Sequence, residues 1–212
     1  MQSYGIMKPY FIGVAGPSCA GKSYLASHLA DILDAALFHL DSYYRELDHL
    51  SLVQRAHYNF DSPDALDSEL LLHQARLLQG GETIARPVYD FTTHTRTSQT
   101  LELAPKPFVI IEGLFTLHWE TLRNMLGTKV FVDLGEETCL ERRIERDIRE
   151  RGRTRESVLE QYRTVVTPMA RQFVYPARIH ADIVVTGNDN ISREVDAVLR
   201  HVERGTVIGA GA

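Results

Sequence analysis

Five near-continuous apolar runs, at residues 11–15, 36–40, 108–111, 130–134 and 183–185, punctuate the chain. Runs this short, without strict polar alternation, predict strands buried on both faces. Between most of them apolar residues recur at helical spacing, as at 24–33, 66–78 and 139–148. Strands alternating with helices predict an α/β fold, a five-stranded parallel sheet with helices on both faces. Two segments break the rhythm. Residues 82–103 are rich in Thr, carry little helical pattern, and predict a β-hairpin insertion of two extended segments around Pro87-Val88-Tyr89-Asp90-Phe91. Residues 141–156 are crowded with charge, and the tail from Thr206 to Ala212 is expected to fray.

A chain of 212 residues with 44% hydrophobic content can bury one sizeable core, so residues 1–212 are expected to form a single domain. The net charge of −5 gives no overall attraction to nucleic acid or to an anionic membrane. Two cysteines, Cys19 and Cys139, are too few for a disulfide framework. No stretch approaches the ~20 apolar residues of a membrane span. The first apolar run reads as a strand rather than a leader, and a cytoplasmic location follows as an expectation. The nine histidines form neither an HExxH pattern nor a Cys/His cluster, which argues against a zinc site.

The first run empties into Gly16-Pro17-Ser18-Cys19-Ala20-Gly21-Lys22-Ser23, which fits G-x-x-x-x-G-K-[ST], with Tyr24 opening a helical pattern behind it. Glycines let the backbone curl until successive N–H groups face phosphate oxygens; Lys22 reaches the β- and γ-phosphates and the Ser23 hydroxyl holds Mg²⁺. Strand, Gly-rich loop and helix together predict a nucleoside triphosphate site. In parallel sheets, ligands bind at the carboxyl ends of strands. Two acids stand there. Glu112 follows four apolar residues, as a carboxylate assisting Mg²⁺ would, and Asp41 closes the second run, placed to take a proton from a hydroxyl and to help organise the metal. A helix N-cap is the plainer role for an acid at a strand end. Seven arginines lie between 141 and 156: Arg142, Arg143, Arg146, Arg149, Arg151, Arg153 and Arg155. Phosphoryl transfer needs such groups on an element that closes, so residues 141–163 are expected to form a lid; a solvated helix face is the alternative. On one helix, Arg142 and Arg146 would be unfavourable i,i+4 neighbours. His94, near Tyr89, Phe91 and Arg96, could flank a planar ring or simply decorate a hairpin.

Further strings give the chain a family likeness. They are Leu40-Asp41-Ser42-Tyr43-Tyr44-Arg45, Asn59-Phe60-Asp61-Ser62-Pro63-Asp64-Ala65, Pro87-Val88-Tyr89-Asp90-Phe91 with His94 and Arg96, Ile111-Glu112-Gly113, Arg142-Arg143, Arg146-Asp147 and Glu150-Arg151-Gly152-Arg153, then Gln161-Tyr162, Pro168 and Ala181-Asp182. With the phosphate loop, and from Gly13 to about Asn190, they resemble the uridine kinase (uridine–cytidine kinase) family of P-loop kinases. The resemblance implies the P-loop kinase fold, ATP or GTP with Mg²⁺, and phosphorylation of the 5′-hydroxyl of uridine or cytidine in nucleoside salvage. It implies Asp41 as catalytic base, Asp61 on the ribose hydroxyls, and Tyr89 and His94 at the pyrimidine. Arg143, Arg153 and Gln161 are implied on the substrate side, Arg146 and Arg151 at the phosphates, and Asp189 beside the adenine. Partners are then a small-molecule nucleoside and nucleotide, with a homotetramer common in the family. Pro17 and Ala20 depart from the usual loop, 186–190 aligns only with one residue missing, and 46–58 is shorter than in some relatives. Kinases of a phosphorylated sugar or of pantothenate, and a nucleotide-binding regulatory protein without turnover, are the alternatives.

Overall fold

The structure, a computed structural model, describes residues 8–188 and 190–209. Among these, five strands form one parallel sheet: β1 (Tyr10–Ala15), β2 (Ala36–His39), β5 (Phe108–Glu112), β6 (Thr128–Asp133) and β7 (Ile183–Thr186), in the order β2-β5-β1-β6-β7. β1 is central, with Tyr10 opposite Phe108 on one side and Ile12 opposite Thr128 on the other. Alternation along each strand feeds two separate cores. Ile12 and Val14 of β1, Ile110 of β5 and Val130 and Val132 of β6 face α1 (Lys22–Leu33) and α8 (Ile191–Gly209), where Leu25, Leu29, Val195, Val198 and Val202 are buried. Phe11, Val109, Ile111 and Phe131 face the opposite way, onto Leu71, Ala75 and Leu78 of α3 (Ser68–Gln79) and onto Phe115 and Leu122, the latter in α4 (Glu120–Arg123). Both faces of the sheet are thus dry, as the unalternating apolar runs require.

Small departures from the sequence expectation have clear causes. β2 stops at His39, and Leu40–Tyr43 form a 3₁₀ turn that swings Asp41 off the strand end. The hairpin is β3 (Ile84–Asp90) against β4 (Thr95–Leu103), so Pro87 and Tyr89 lie within a strand and the turn comes later, at 91–94. Asp90 makes that turn: its carboxylate accepts from Thr92 N and Thr93 Oγ1, both at 2.8 Å. The register slips between Pro87 and Tyr89, where proline offers no N–H to the ladder. Of the tail expected to fray from Thr206, α8 keeps the backbone helical to Gly209 and 210–212 lie outside the described residues; Gly205 sits so close to the Tyr10 ring that an added Cβ would lie 2.5 Å from its hydroxyl.

Arg96 pins the hairpin to the body. Its guanidinium donates to Tyr44 O (2.7 Å) and Tyr43 O (3.0 Å) and pairs with Asp67 at 3.2 Å. A short helix, α2 (Leu52–Ala56), lies between β2 and the hairpin in the chain. The arginine-rich segment is a helical pair, α5 (Glu136–Arg151) and α6 (Arg155–Gln161), turning at Gly152. α6 continues through a π-helical turn (Tyr162–Val166), α7 (Thr167–Met169) and a second π-helical turn (Ala170–Val174). Among the described residues, no helix is long and apolar enough to cross a membrane.

Candidate active site

The loop from Gly16 to Ser23 joins β1 to α1 at the carboxyl edge of the sheet. Gly16 has φ 148°, and a Cβ there would fall 2.4 Å from Val132 O, so the loop can cross β6 only with glycine at this position. Lys22 is buried and donates from Nζ to Pro17 O at 2.9 Å, which holds its ammonium inside the curl of the loop. Ala20 is buried beneath Gly187, where a Cβ would meet Ala20 O at 1.9 Å. Arg142 fastens that second loop, donating from Nη2 to Gly187 O and Asn188 Oδ1, each at 3.0 Å. Asp189 lies outside the described residues. Cys19 adopts φ 64° and is half-buried, while Tyr24 points outward against His28.

Asp41 and Glu112 share the floor of this cleft. Glu112 is buried; Oε2 accepts from Ser23 Oγ at 3.2 Å and Oε1 from His39 Nδ1 at 2.7 Å. Burial pushes its carboxyl up, but the His39 bond, the Lys22 charge and the Ser23 bond together hold it below the ordinary value. Asp41 moves the opposite way. Burial, then repulsion from Glu112, raise it from 3.8 to about 6 against the pull of Lys22, His39 and Arg151. Two neighbouring carboxylates pushed apart in proton affinity are the arrangement that separates a permanently ionised ligand from a proton acceptor. The donor set of hydroxyl and carboxylate oxygens suits Mg²⁺. Among the described residues no three His, Cys, Asp or Glu side chains form a ready cage. Sequence reasoning passed over His39, although it stands two residues before Asp41 at a strand end.

The opposite wall is aromatic. Tyr44 lies 5.2 Å from Tyr89 and 5.3 Å from Phe60, and Phe60 stacks on His94 at 5.6 Å and 21°. His94 holds φ 52° at the end of the hairpin turn, and burial followed by the Arg151 and Arg153 charges keeps its imidazole below the ordinary value. The Tyr89 hydroxyl is buried with no hydrogen-bond partner among the described residues. Asp61 is buried at the rim of this wall, its carboxyl raised by burial against the charges of Arg143, Arg146 and Arg151.

The arginines close the third side. Arg143, on α5, is buried and bridges the 16–23 loop to α6, donating to Ser18 Oγ at 3.0 Å and Gln161 Oε1 at 3.2 Å. Arg153 also donates to Gln161 and, at 2.9 Å, to Ser157 Oγ. Arg146 donates twice to Asp147 Oδ1, at 2.9 and 2.8 Å. Arg151 lies over the Phe91 ring at 5.5 Å, so it spans from helix to hairpin rather than facing only the phosphate loop. Arg149 pairs with exposed Glu150. The like-charge contact expected between Arg142 and Arg146 is avoided because the two side chains part, one to Gly187 and one to Asp147. Asp147, which sequence reasoning gave no role, is fully buried among these groups; its only signal was i,i+4 spacing to Arg143 and Arg151. The open cleft measures about 1220 Å³, above the ~300–1,000 Å³ of a single small-molecule site, and has room for two ligands side by side.

Residues 11–191 match the Phosphoribulokinase / Uridine kinase family. The chain belongs to that family. A uridine kinase of Aliivibrio fischeri is 40% identical over 200 residues, covering 91% of this chain and 93% of the relative. One from Macrococcus caseolyticus is 39% identical over 199 residues, covering 92% and 97%. Solved structures of phosphoribulokinase from Rhodobacter spheroides (TM-score 0.62, 17% identity, 85% of this chain and 70% of that one) and D-glycerate 3-kinase from Cryptococcus neoformans (0.62, 16%, 90% of each) share the fold of this family member.

Proposed function

We propose that this family member is a nucleoside kinase that moves the γ-phosphoryl group of ATP or GTP to the 5′-hydroxyl of uridine or cytidine, giving the monophosphate. One observation carries the proposal: a single cleft is lined by Lys22 and Ser23, by Asp41 and Glu112, and by the Phe60, Tyr89 and His94 wall with Asp61. A triphosphate tail fits the loop side and a planar base the aromatic side, with the proton acceptor between them. The relatives named uridine kinase support uridine as the acceptor. The proposal includes a homo-oligomer, a tetramer by family resemblance, in the cytoplasm.

Phosphoryl transfer asks mainly for positioning and charge neutralisation. Asp61 receives the ribose hydroxyls, and a buried carboxylate matched to two hydroxyls rejects an analogue that leaves one lone pair unmet. Tyr89 and neutral His94 meet the base edge. Asp41 accepts the 5′-hydroxyl proton as the oxygen attacks, and Lys22 with Arg146 and Arg151 offsets charge on the phosphoryl oxygens. Ser23, Asp41 and Glu112 would hold Mg²⁺, which would supply charge neutralisation at the phosphates. ADP release measured with ATP alone, with uridine and with ribulose 5-phosphate tests the proposal. Release dependent on uridine is expected; release that follows the sugar phosphate, or ignores both, refutes it.

A further inference from the structure

A groove of about 910 Å³ lies where α5, α6 and α7 meet. Its floor is apolar, made by Leu140 of α5, Leu159 of α6, Tyr162 and Pro168. The Tyr162 hydroxyl is already engaged, donating to Glu136 O at 3.0 Å, so the ring offers only its apolar body. Leu159 is 38% exposed, and Ile148, eight residues along α5 from Leu140 and on the same side of that helix, is 45% exposed. Apolar side chains left open and rimmed by polar ones mark a contact with another molecule. The rim carries its charges in a definite order. Glu156, Leu159, Glu160 and Arg163 all line the groove and fall at i, i+3, i+4 and i+7 along α6 and its continuation. The acids come first and the base last, with the leucine between Glu156 and Arg163. Glu160 and Arg163 pair within the chain at 3.3 Å, while Glu156 has no ion-pair partner among the described residues.

We propose that this groove is a two-fold contact between copies of the chain, with α6 of one protomer laid antiparallel on α6 of its partner. A two-fold axis midway between positions 159 and 160 sets Glu156 opposite the partner's Arg163, and Arg163 opposite the partner's Glu156, so the same ion pair forms twice. The two Leu159 side chains meet at the centre and close the apolar floor, leaving the ion pairs at the edge, a dry core inside a charged rim. Like charges at the two ends of this face would repel in that arrangement; the order acid then base makes it attractive. The inference rests on the homo-oligomer proposed above and names its contact surface. Ser157, Gln161 and Thr164, from the same helical stretch, line the cleft, so the partner lies directly behind a wall of the site.

Light scattering and sedimentation velocity on the intact protein over a dilution series read the contact. The wild type is expected to self-associate. Leu159→Asp puts a charge at the centre of the contact and should raise the dissociation constant about tenfold or more. Glu156→Arg sets arginine against the partner's Arg163, and Arg163→Glu sets glutamate against the partner's Glu156; each should weaken association by a similar factor. Glu156→Arg combined with Arg163→Glu restores opposite charges and should return the dissociation constant to within about threefold of wild type. Damage to the fold does not produce such a rescue, and circular dichroism checks each variant. Association unchanged in Leu159→Asp and Glu156→Arg, or a double variant no better than the single ones, overturns this surface alone and leaves the groove to another molecule. A wild type that stays monomeric at every concentration overturns the surface and the homo-oligomer together, while uridine-dependent ADP release judges the kinase reaction separately.

Discussion

Replacing Asp41 by Asn should make the protein more stable while disabling it. Burial and the Glu112 charge raise the Asp41 carboxyl from 3.8 to about 6, so the ionised form is the strained one. At about 1.4 kcal/mol per tenfold change in proton affinity, the rise corresponds to roughly 3 kcal/mol, and solvent entering the open cleft reduces it to about 1–3 kcal/mol. Because the folded value lies above the unfolded one, the group contributes stability below about pH 3.8, and that contribution is lost as pH rises through about 6. Asn carries no charge at any pH. Thermal unfolding in EDTA should therefore give Asp41→Asn a midpoint about 3–10 °C above wild type at pH 7.5, with the gap shrinking toward pH 4. Turnover with uridine should fall by about 10²–10⁴ while nucleotide binding persists. Equal midpoints at pH 7.5, or a gap that ignores pH, would refute the electrostatic reasoning. Wild-type turnover would remove Asp41 from the mechanism.

Three further outcomes follow from neighbouring contacts. His39→Ala frees Oε1 of Glu112 and should weaken the apparent Mg²⁺ affinity about 10–100-fold, read from the Mg²⁺ dependence of ADP formation; an unchanged dependence removes His39 from the metal site. His94→Ala takes away the ring stacked on Phe60 and should raise the uridine KM about 3–10-fold or more with little change in uridine-independent hydrolysis; equal effects on both count against contact with the base. Arg96→Lys cannot serve two carbonyls and Asp67 together, so it should lower stability by about 1–3 kcal/mol in denaturant titration and raise the uridine KM; a stable variant with normal KM shows that the hairpin does not depend on this anchor.

The parallel sheet was legible because strands dry on both faces leave uninterrupted apolar runs, and the phosphate loop because close backbone approach admits so few residues at Gly16. Elsewhere the signal was hidden by chemistry that pattern cannot resolve. Thr-rich alternation marks extended chain around Pro87 to Phe91 but not where it reverses; Asp90, closing β3, makes the reversal at 91–94. His39 is a lone polar residue inside a buried run, and only β5, arriving beside it with Glu112, gives it a partner. Asp147 was lost among charges because its burial depends on α6 folding back across α5, a tertiary event. The same folding decides which of seven arginines turn inward, something spacing along one helix cannot state.

The most direct test is a crystal structure with uridine and the β,γ-imido analogue of ATP bound together with Mg²⁺. The uridine 5′-oxygen is expected within about 3 Å of an Asp41 oxygen and in line with the γ-phosphorus, with the ring against His94 and Tyr89. A nucleoside seated elsewhere, or a 5′-oxygen facing away from Asp41, would contradict it.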